Sequence, residues 1–494
     1  MWPLPLFEVV LSFGGRLSSS EDTYLNSETS TCGIAINTAS VEKDFVFIAL
    51  PGSKVHGAQF ISEAKDKGAV GCITDMQGLE YVKDIKNFPI FISDDLLGGL
   101  RNFASHFRSQ LEAPVIAIGG SNGKTTTKEM VVTLLKESLL VSSTQKSENG
   151  FLGIPLTLCQ PSHTKDAQFG AHVIEVGIDA IGSMEQHRNL VKPDWVILTA
   201  LGEEHLLGLK TLENCITEEL KLFDLEKSDV SEVNRIWNFC LEPLSSLKYG
   251  KPTPGDVIVT ESEINLDDFP FISVFSFKSK TELMGSHVHW NYRNSQDDLT
   301  GEFFCPLPGI HNAQNLCLAY AMGLALGVPV NVLDQGIGRL GATDGRSKIL
   351  TLPSGTIVYN DTYNANPLSM ELGLKTVLSL NRFPMTLILG DMLELGDFSE
   401  SAHKNLCSLL LTFSDTFIGL YGNAMKDLFI ALSSFKQDLQ KNNITLRYFE
   451  PTRSPVSLLE DLPKNCSLFF AKGSRSMGLD KLVDAYIHGG HHET

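Results

Sequence analysis

The sequence predicts an α/β protein of three domains: a small N-terminal α/β domain, a central P-loop mononucleotide-binding domain on a mostly parallel sheet, and a C-terminal Rossmann-like domain. Three observations predict it. At 494 residues the chain exceeds what one hydrophobic core serves, and a prior of ~150 residues per domain gives about three. Short apolar runs alternate with stretches of helical spacing, the rhythm of parallel sheets covered by helices. A glycine-rich turn, Gly119 to Gly123, stands between an apolar run and a helical stretch.

The first domain is expected over residues 1–113. There the apolar runs Val46 to Leu50 and Gly71 to Thr74 flank an amphipathic stretch from Phe60 to Lys67. The second is expected over 114–343. It opens with a buried strand, Val115 to Ile118, then the tight loop, then helical spacing from Thr125 to Leu140. Strands at Val173 to Val176 and Val196 to Thr199 follow, and alternating segments such as Phe271 to Phe277 and Val288 to Tyr292 predict an antiparallel elaboration. The third, 344–494, repeats strand and helix from Thr356 to Tyr359, Met385 to Leu389, Thr416 to Leu420, Leu446 to Phe449 and Ser467 to Phe470. Its tail, with His491 and His492, is too short to read as a metal site.

Composition excludes several classes. A net charge of −18 repels nucleic acid and anionic membranes, so an anionic ligand needs a local pocket. No long apolar run predicts a membrane-inserted helix, and Leu4 to Phe13 lacks the basic flank of a signal peptide. The nine cysteines are odd in number and scattered, which fits a reducing cytoplasm better than a disulfide framework.

The chemistry concentrates in Gly119-Gly120-Ser121-Asn122-Gly123-Lys124-Thr125-Thr126. Glycines let backbone N–H groups close around phosphate at a helix N-terminus. Lys124 supplies a mobile positive charge for the β- and γ-phosphates, and the Thr125 hydroxyl is a ligand for Mg²⁺. The usual first glycine of a P-loop would stand at Ile118, so the match rests on the Gly-Lys-Thr end and its strand-helix context.

This loop resembles the shortened P-loop of the Mur ligase family. Asn360-Asp361-Thr362-Tyr363-Asn364-Ala365-Asn366-Pro367, Gly390-Asp391-Met392-Leu393-Glu394-Leu395-Gly396-Asp397 and Lys472-Gly473-Ser474-Arg475-Ser476 extend the resemblance over nearly the whole chain. It implies an ATP- and Mg²⁺-dependent amide ligase of peptidoglycan synthesis that joins D-Ala-D-Ala to UDP-N-acetylmuramoyl-tripeptide, as a cytoplasmic monomer. The segment diagnostic of the sister ligase that adds the third amino acid is absent.

The resemblance also assigns roles. Glu175, ending a strand, and His205, in Gly202-Glu203-Glu204-His205-Leu206, match Mg²⁺ ligands; a salt-bridged acid and a structural histidine are the alternatives. Asn312 and Asn315 match residues on the nucleotide base, with helix capping as the alternative. Arg346 matches an arginine that reaches ATP phosphate, and Asp361 an acid that binds ribose. Asn149 retains one of a pair of loop asparagines that contact substrate. Lys472 and Ser474, with Asn364 and Asn366, match the turn that takes the incoming dipeptide.

Two departures stand out. The family's carbamylated lysine stands fourteen residues after the histidine, which here is Glu219. A glutamate offers Mg²⁺ the same hard oxygen charge without CO₂. Lys221 is the competitor, and on a helix it points about 200° away from Glu219. In the N-terminal domain the family's arginine is replaced by Ala39, which removes a contact expected to steady the UDP-sugar. Another amide ligase of the same fold, of folate-polyglutamate or cyanophycin type, and a non-catalytic nucleotide-binding homologue are the competing readings.

Overall fold

The computed structural model describes residues 2–17, 29–52, 54–82, 84–145, 147–160, 170–223, 234–238, 253–261, 272–342 and 344–489; the His491 and His492 pair lies outside them. The expected α/β class is borne out, with several sheets and a mostly parallel central one. The chain divides into two compact units: Met1–Ala117, Leu139–Gly177 and Met184–Trp195, and Ile118–Ser138, Ile178–Ser183 and Val196–Thr494. Among the described residues, no helix is long and apolar enough to cross a membrane.

The first unit contains a five-stranded sheet in the order Arg16–Leu17, Ile90–Ile92, Gly71–Thr74, Phe45–Ala49, Gly33–Ala35. Only Arg16–Leu17 pairs antiparallel. All five residues of Phe45–Ala49 are buried, as a continuous apolar run requires when a parallel strand is covered on both faces. Ile61 and Ala64 of the helix Ile61–Asp66 share one helix face and join the core with Phe47 and Cys72. The same unit holds the parallel pair Val141–Ser143 and Ala171–Glu175.

In the second unit the strands run Trp195–Leu198, Asn234–Asn238, Val257–Thr260, Ser273–Glu282, Gly285–Arg293, Asp298–Cys305. The antiparallel elaboration is present from Ser273 to Cys305, where burial alternates toward the outer strand. The strands Asn234–Asn238, Val257–Thr260 and Ser273–Glu282 instead pair parallel. All four residues of Val257–Thr260 are buried, the pattern of a strand covered on both faces. A buried ion pair fixes this region: Arg235 Nε lies 3.2 Å from the Asp256 carboxylate. Asp256 also accepts from Trp237 Nε1 at 2.8 Å and from the backbone N–H of Thr253 at 2.8 Å.

The helix after the glycine loop spans Lys124–Leu135, shorter than the spacing predicts. A turn follows, with Ser138 N–H on the Leu135 carbonyl, and Leu139 and Leu140 lead into the strand Val141–Ser143. Helices Ile310–Ala325 and Val330–Ile337 pack on Lys124–Leu135. The C-terminal sheet has six strands in the order Lys348–Thr351, Ile357–Asp361, Leu468–Lys472, Met385–Gly390, Thr416–Tyr421, Ile444–Phe449. All its pairings are parallel except at Lys348–Thr351.

Candidate active site

The strand Val115–Gly119 is buried along its length and delivers the chain into the loop. Gly120 has φ 115° and Gly123 φ 86°, conformations that an L side chain resists. Space adds a second constraint, because a Cβ on Gly120 would fall 2.4 Å from Thr199 Oγ1. That Thr199 hydroxyl sits 3.0 Å from the Gly119 carbonyl and also meets the Asn122 carbonyl. Ser121 is committed to the scaffold, its N–H on the Ala200 carbonyl at 2.6 Å and its hydroxyl on the Gly202 carbonyl at 2.8 Å. Gly123 caps the helix Lys124–Leu135 without a side-chain hydrogen bond, so the first-turn N–H groups, those of Lys124, Thr125 and half-buried Thr126, have no intrahelical acceptor and suit an anion.

Lys124 Nζ donates to the Gly120 carbonyl at 2.5 Å and to Glu204 Oε2 at 3.0 Å, and lies 3.9 Å from Glu219 Oε1. Glu219 is fully buried, and its Oε2 accepts the Gly120 N–H at 2.7 Å. Burial pushes its carboxyl well above the ordinary range; Lys124 opposes this shift, and the neighbouring Glu204 adds to it. Oε1 of Glu204 and Oε1 of Glu219 are buried acceptors with no hydrogen-bond donor, which is costly unless a cation or a proton meets them. These oxygens and the Thr125 hydroxyl are hard donors that fit Mg²⁺. Among the described residues no group of three or more His, Cys, Asp or Glu is placed to hold a metal; a cation here would complete its shell with phosphate and water.

The helix Leu212–Leu220, capped by Thr211 accepting from Asn214 N–H, sets Glu218 and Glu219 in different surroundings. Glu219 meets the glycine loop. Glu218 accepts from Gly182 N–H at 2.8 Å and from Lys221 Nζ at 2.6 Å. Lys221 is therefore paired on the Glu218 side.

His205 does not join the Lys124 cluster through its imidazole. Its backbone turns left-handed at φ 45°, and Nδ1 meets Glu394 Oε2 at 2.7 Å. The preceding residue, Glu204, reaches Lys124 instead. Sequence reading passed over Glu204, although the adjacent acids Glu203 and Glu204 beside a candidate ligand were the available signal.

In the first unit Glu175 is buried at the end of its strand and its Oε1 accepts from Asn149 Nδ2 at 2.8 Å. Sequence-separated candidates thus meet in one contact.

Arg346 Nη2 donates to Thr125 Oγ1 at 3.1 Å, and its Cζ stands 3.9 Å from the centroid of the Tyr363 ring. Asn315 flanks Gly123, and Asn312 donates to the Pro308 carbonyl at 2.7 Å and to Ser347 Oγ at 3.3 Å. Asp361 accepts from Lys472 Nζ at 2.6 Å and from Ser347 N–H at 3.1 Å. Lys472 also reaches the Asn364 carbonyl at 3.1 Å. Ser474 Oγ accepts Leu393 N–H at 2.9 Å. Asn366 caps the helix Pro367–Ser379 in a reciprocal capping box with Ser369, so its side chain has a structural task.

Residues 118–323 match the Mur ligase middle domain and residues 31–91 the Mur ligase family catalytic domain. The chain is 29% identical over 457 residues to the UDP-N-acetylmuramoyl-tripeptide–D-alanyl-D-alanine ligase of Bacillus subtilis, covering 92% of this chain and 93% of that one. It is 28% identical to the enzyme of the same name from Rickettsia prowazekii, covering 92% of this chain and 94% of the relative. Among solved structures, MurF of Acinetobacter baumannii superposes with a TM-score of 0.78 at 20% identity, covering 98% of this chain and 99% of that one. MurF of Thermotoga maritima in complex with ADP gives 0.69 at 20% identity, covering 93% and 97%. With two family domains matched in order and relatives aligned almost end to end, the chain belongs to the Mur ligase family.

Proposed function

We propose that this chain is the cytoplasmic ATP-dependent ligase that joins D-Ala-D-Ala to UDP-N-acetylmuramoyl-tripeptide through an acyl phosphate, releasing ADP and phosphate. The observation that carries it is the alignment with the Bacillus subtilis ligase of that name over 92% of this chain and 93% of the relative. A carboxylate does not acylate an amine at neutral pH. Transfer of the γ-phosphoryl group replaces a poor leaving group with a good one, and the dipeptide amine then attacks the acyl carbon.

The residues divide this work. Loop N–H groups between Gly120 and Thr126 hold the phosphates at the helix N-terminus. Lys124, held by Glu204 at 3.0 Å, turns to the phosphate oxygens as negative charge arrives. Arg346, already on the Thr125 hydroxyl, brings a second cation to the transferring group, where one well-placed guanidinium is worth ~10³–10⁵ in rate. Asn312 and Asn315 face the base and Asp361 the ribose. Lys472 and Ser474, near Asn364 and Asn366, take the dipeptide carboxylate, while Asn149 holds the tripeptide end of the donor. Bound Mg²⁺ would supply charge neutralisation for the phosphate oxygens, held by the acidic side chains Glu204 and Glu219 with the Thr125 hydroxyl as a further donor. Glu219 provides its carboxylate directly, so turnover needs no bicarbonate.

A coupled assay for ADP tests this reading. Release is expected only when UDP-N-acetylmuramoyl-tripeptide and D-Ala-D-Ala are both present. Equal release with glutamate as acceptor and a folate as donor would instead identify another amide ligase.

A further inference from the structure

Tyr363 has no role in the chemistry described so far, yet it is where two arginines and two chain segments meet. Its N–H donates to the Gly345 carbonyl at 2.9 Å, which seats the ring beside the turn that carries Arg346. The Arg346 guanidinium lies over that ring, with Cζ 3.9 Å from the centroid, while Nη2 holds the Thr125 hydroxyl at 3.1 Å. Arg475, in the turn after the strand Leu468–Lys472, lies over the same ring at 5.7 Å.

A guanidinium on a long flexible stem samples many orientations, and a fixed aromatic face removes most of them while leaving the charge intact. Arg346 makes its polar contact through Thr125 at one end and is steadied by the ring at its planar face. We propose that Tyr363 is a positioning residue for phosphoryl transfer: its ring aims Arg346 at the reacting phosphoryl group and, through Arg475, ties that aim to the turn that receives the acceptor. This rests on the ligase reading above. The ring does the positioning; the hydroxyl is dispensable.

The experiment is a double-mutant cycle on the full chain, read by ADP release at saturating substrates. Y363L is expected to lower kcat about 10- to 100-fold, the cost of a misplaced catalytic group, with a smaller change in KM for ATP. Y363F is expected to stay within about threefold of wild type, since it keeps the ring. In an R346A background, Y363L is expected to add almost nothing, because the group it positions is gone. If Y363L costs the same factor in R346A as in wild type, or Y363F fails as badly as Y363L, the proposal is overturned. Circular-dichroism melts of each variant separate misfolding from misplacement: a Y363L chain that melts far below wild type leaves Y363F and the R346A pair to decide. Absence of two-substrate turnover in the wild type would strike the ligase reading itself, whereas normal wild-type turnover with an additive cycle strikes only Tyr363.

Discussion

The Lys124 amine is shared among one carbonyl and two carboxylates, which defines what single changes do. Lys124→Ala removes the cation beside those two buried acids and should lower ADP formation by at least about 10³-fold. Glu219→Gln keeps the shape but removes the ionisable carboxyl beside the loop. Turnover is expected to fall about 10²-fold or more, and added bicarbonate should change neither protein; stimulation of the wild type by bicarbonate would show that a carbamate is needed after all. How much of this cluster was legible follows from the same residues. Lys124 and Thr125 were readable because a Gly-Lys-Thr turn between strand and helix has few other uses. Glu204 was less so: the adjacent acids Glu203 and Glu204 mark the segment, but which of two successive side chains faces the loop is decided by the left-handed turn at His205.

At the scale of elements, apolar runs were reliable where both faces of a strand are covered. Gly71–Thr74 is where its sequence puts it, and Met385–Gly390 differs by one residue. Ends were less legible: Leu139 and Leu140 continue the apolar spacing of the helix Lys124–Leu135 but belong to the approach to the next strand. Pairing between distant elements was hidden altogether, as with Lys472 and Asp361, 111 residues apart and 2.6 Å in contact. Asn366 shows an element-level role competing with a site role. Its side-chain oxygen Oδ1 accepts Ser369 N–H at 2.9 Å, so Asn366→Ala should lower unfolding stability by about 0.5–2 kcal/mol. Urea titration measures this. Asn366→Asp retains the cap, and a rise in KM for D-Ala-D-Ala in that variant at unchanged stability would assign the side chain to the acceptor as well.

For the molecule as a whole, acid sensitivity follows from two buried imidazoles. Burial pushes His172 and His311 down to about 4, while the unfolded chain protonates them below about 6.5. The unfolded state then holds more protons, so their contribution to stability is complete above 6.5 and is lost as pH falls toward 4. Glu219, whose carboxyl is shifted upward, works in the opposite direction as it takes up a proton. Urea midpoints at pH 7.5 and 5.0 should therefore fall less in H311Q than in wild type; an identical fall would remove His311 from this account. The Arg235–Asp256 ion pair has a different long-term consequence. Deleting either partner strands a buried charge, at about 3–5 kcal/mol, and replacing both with apolar side chains still leaves the Trp237 Nε1–H and the Thr253 N–H without their Asp256 acceptor. Exchange of one codon, or of both, for an apolar residue therefore leaves a polar group unmet, so descendants of this chain should inherit the two positions as a linked pair.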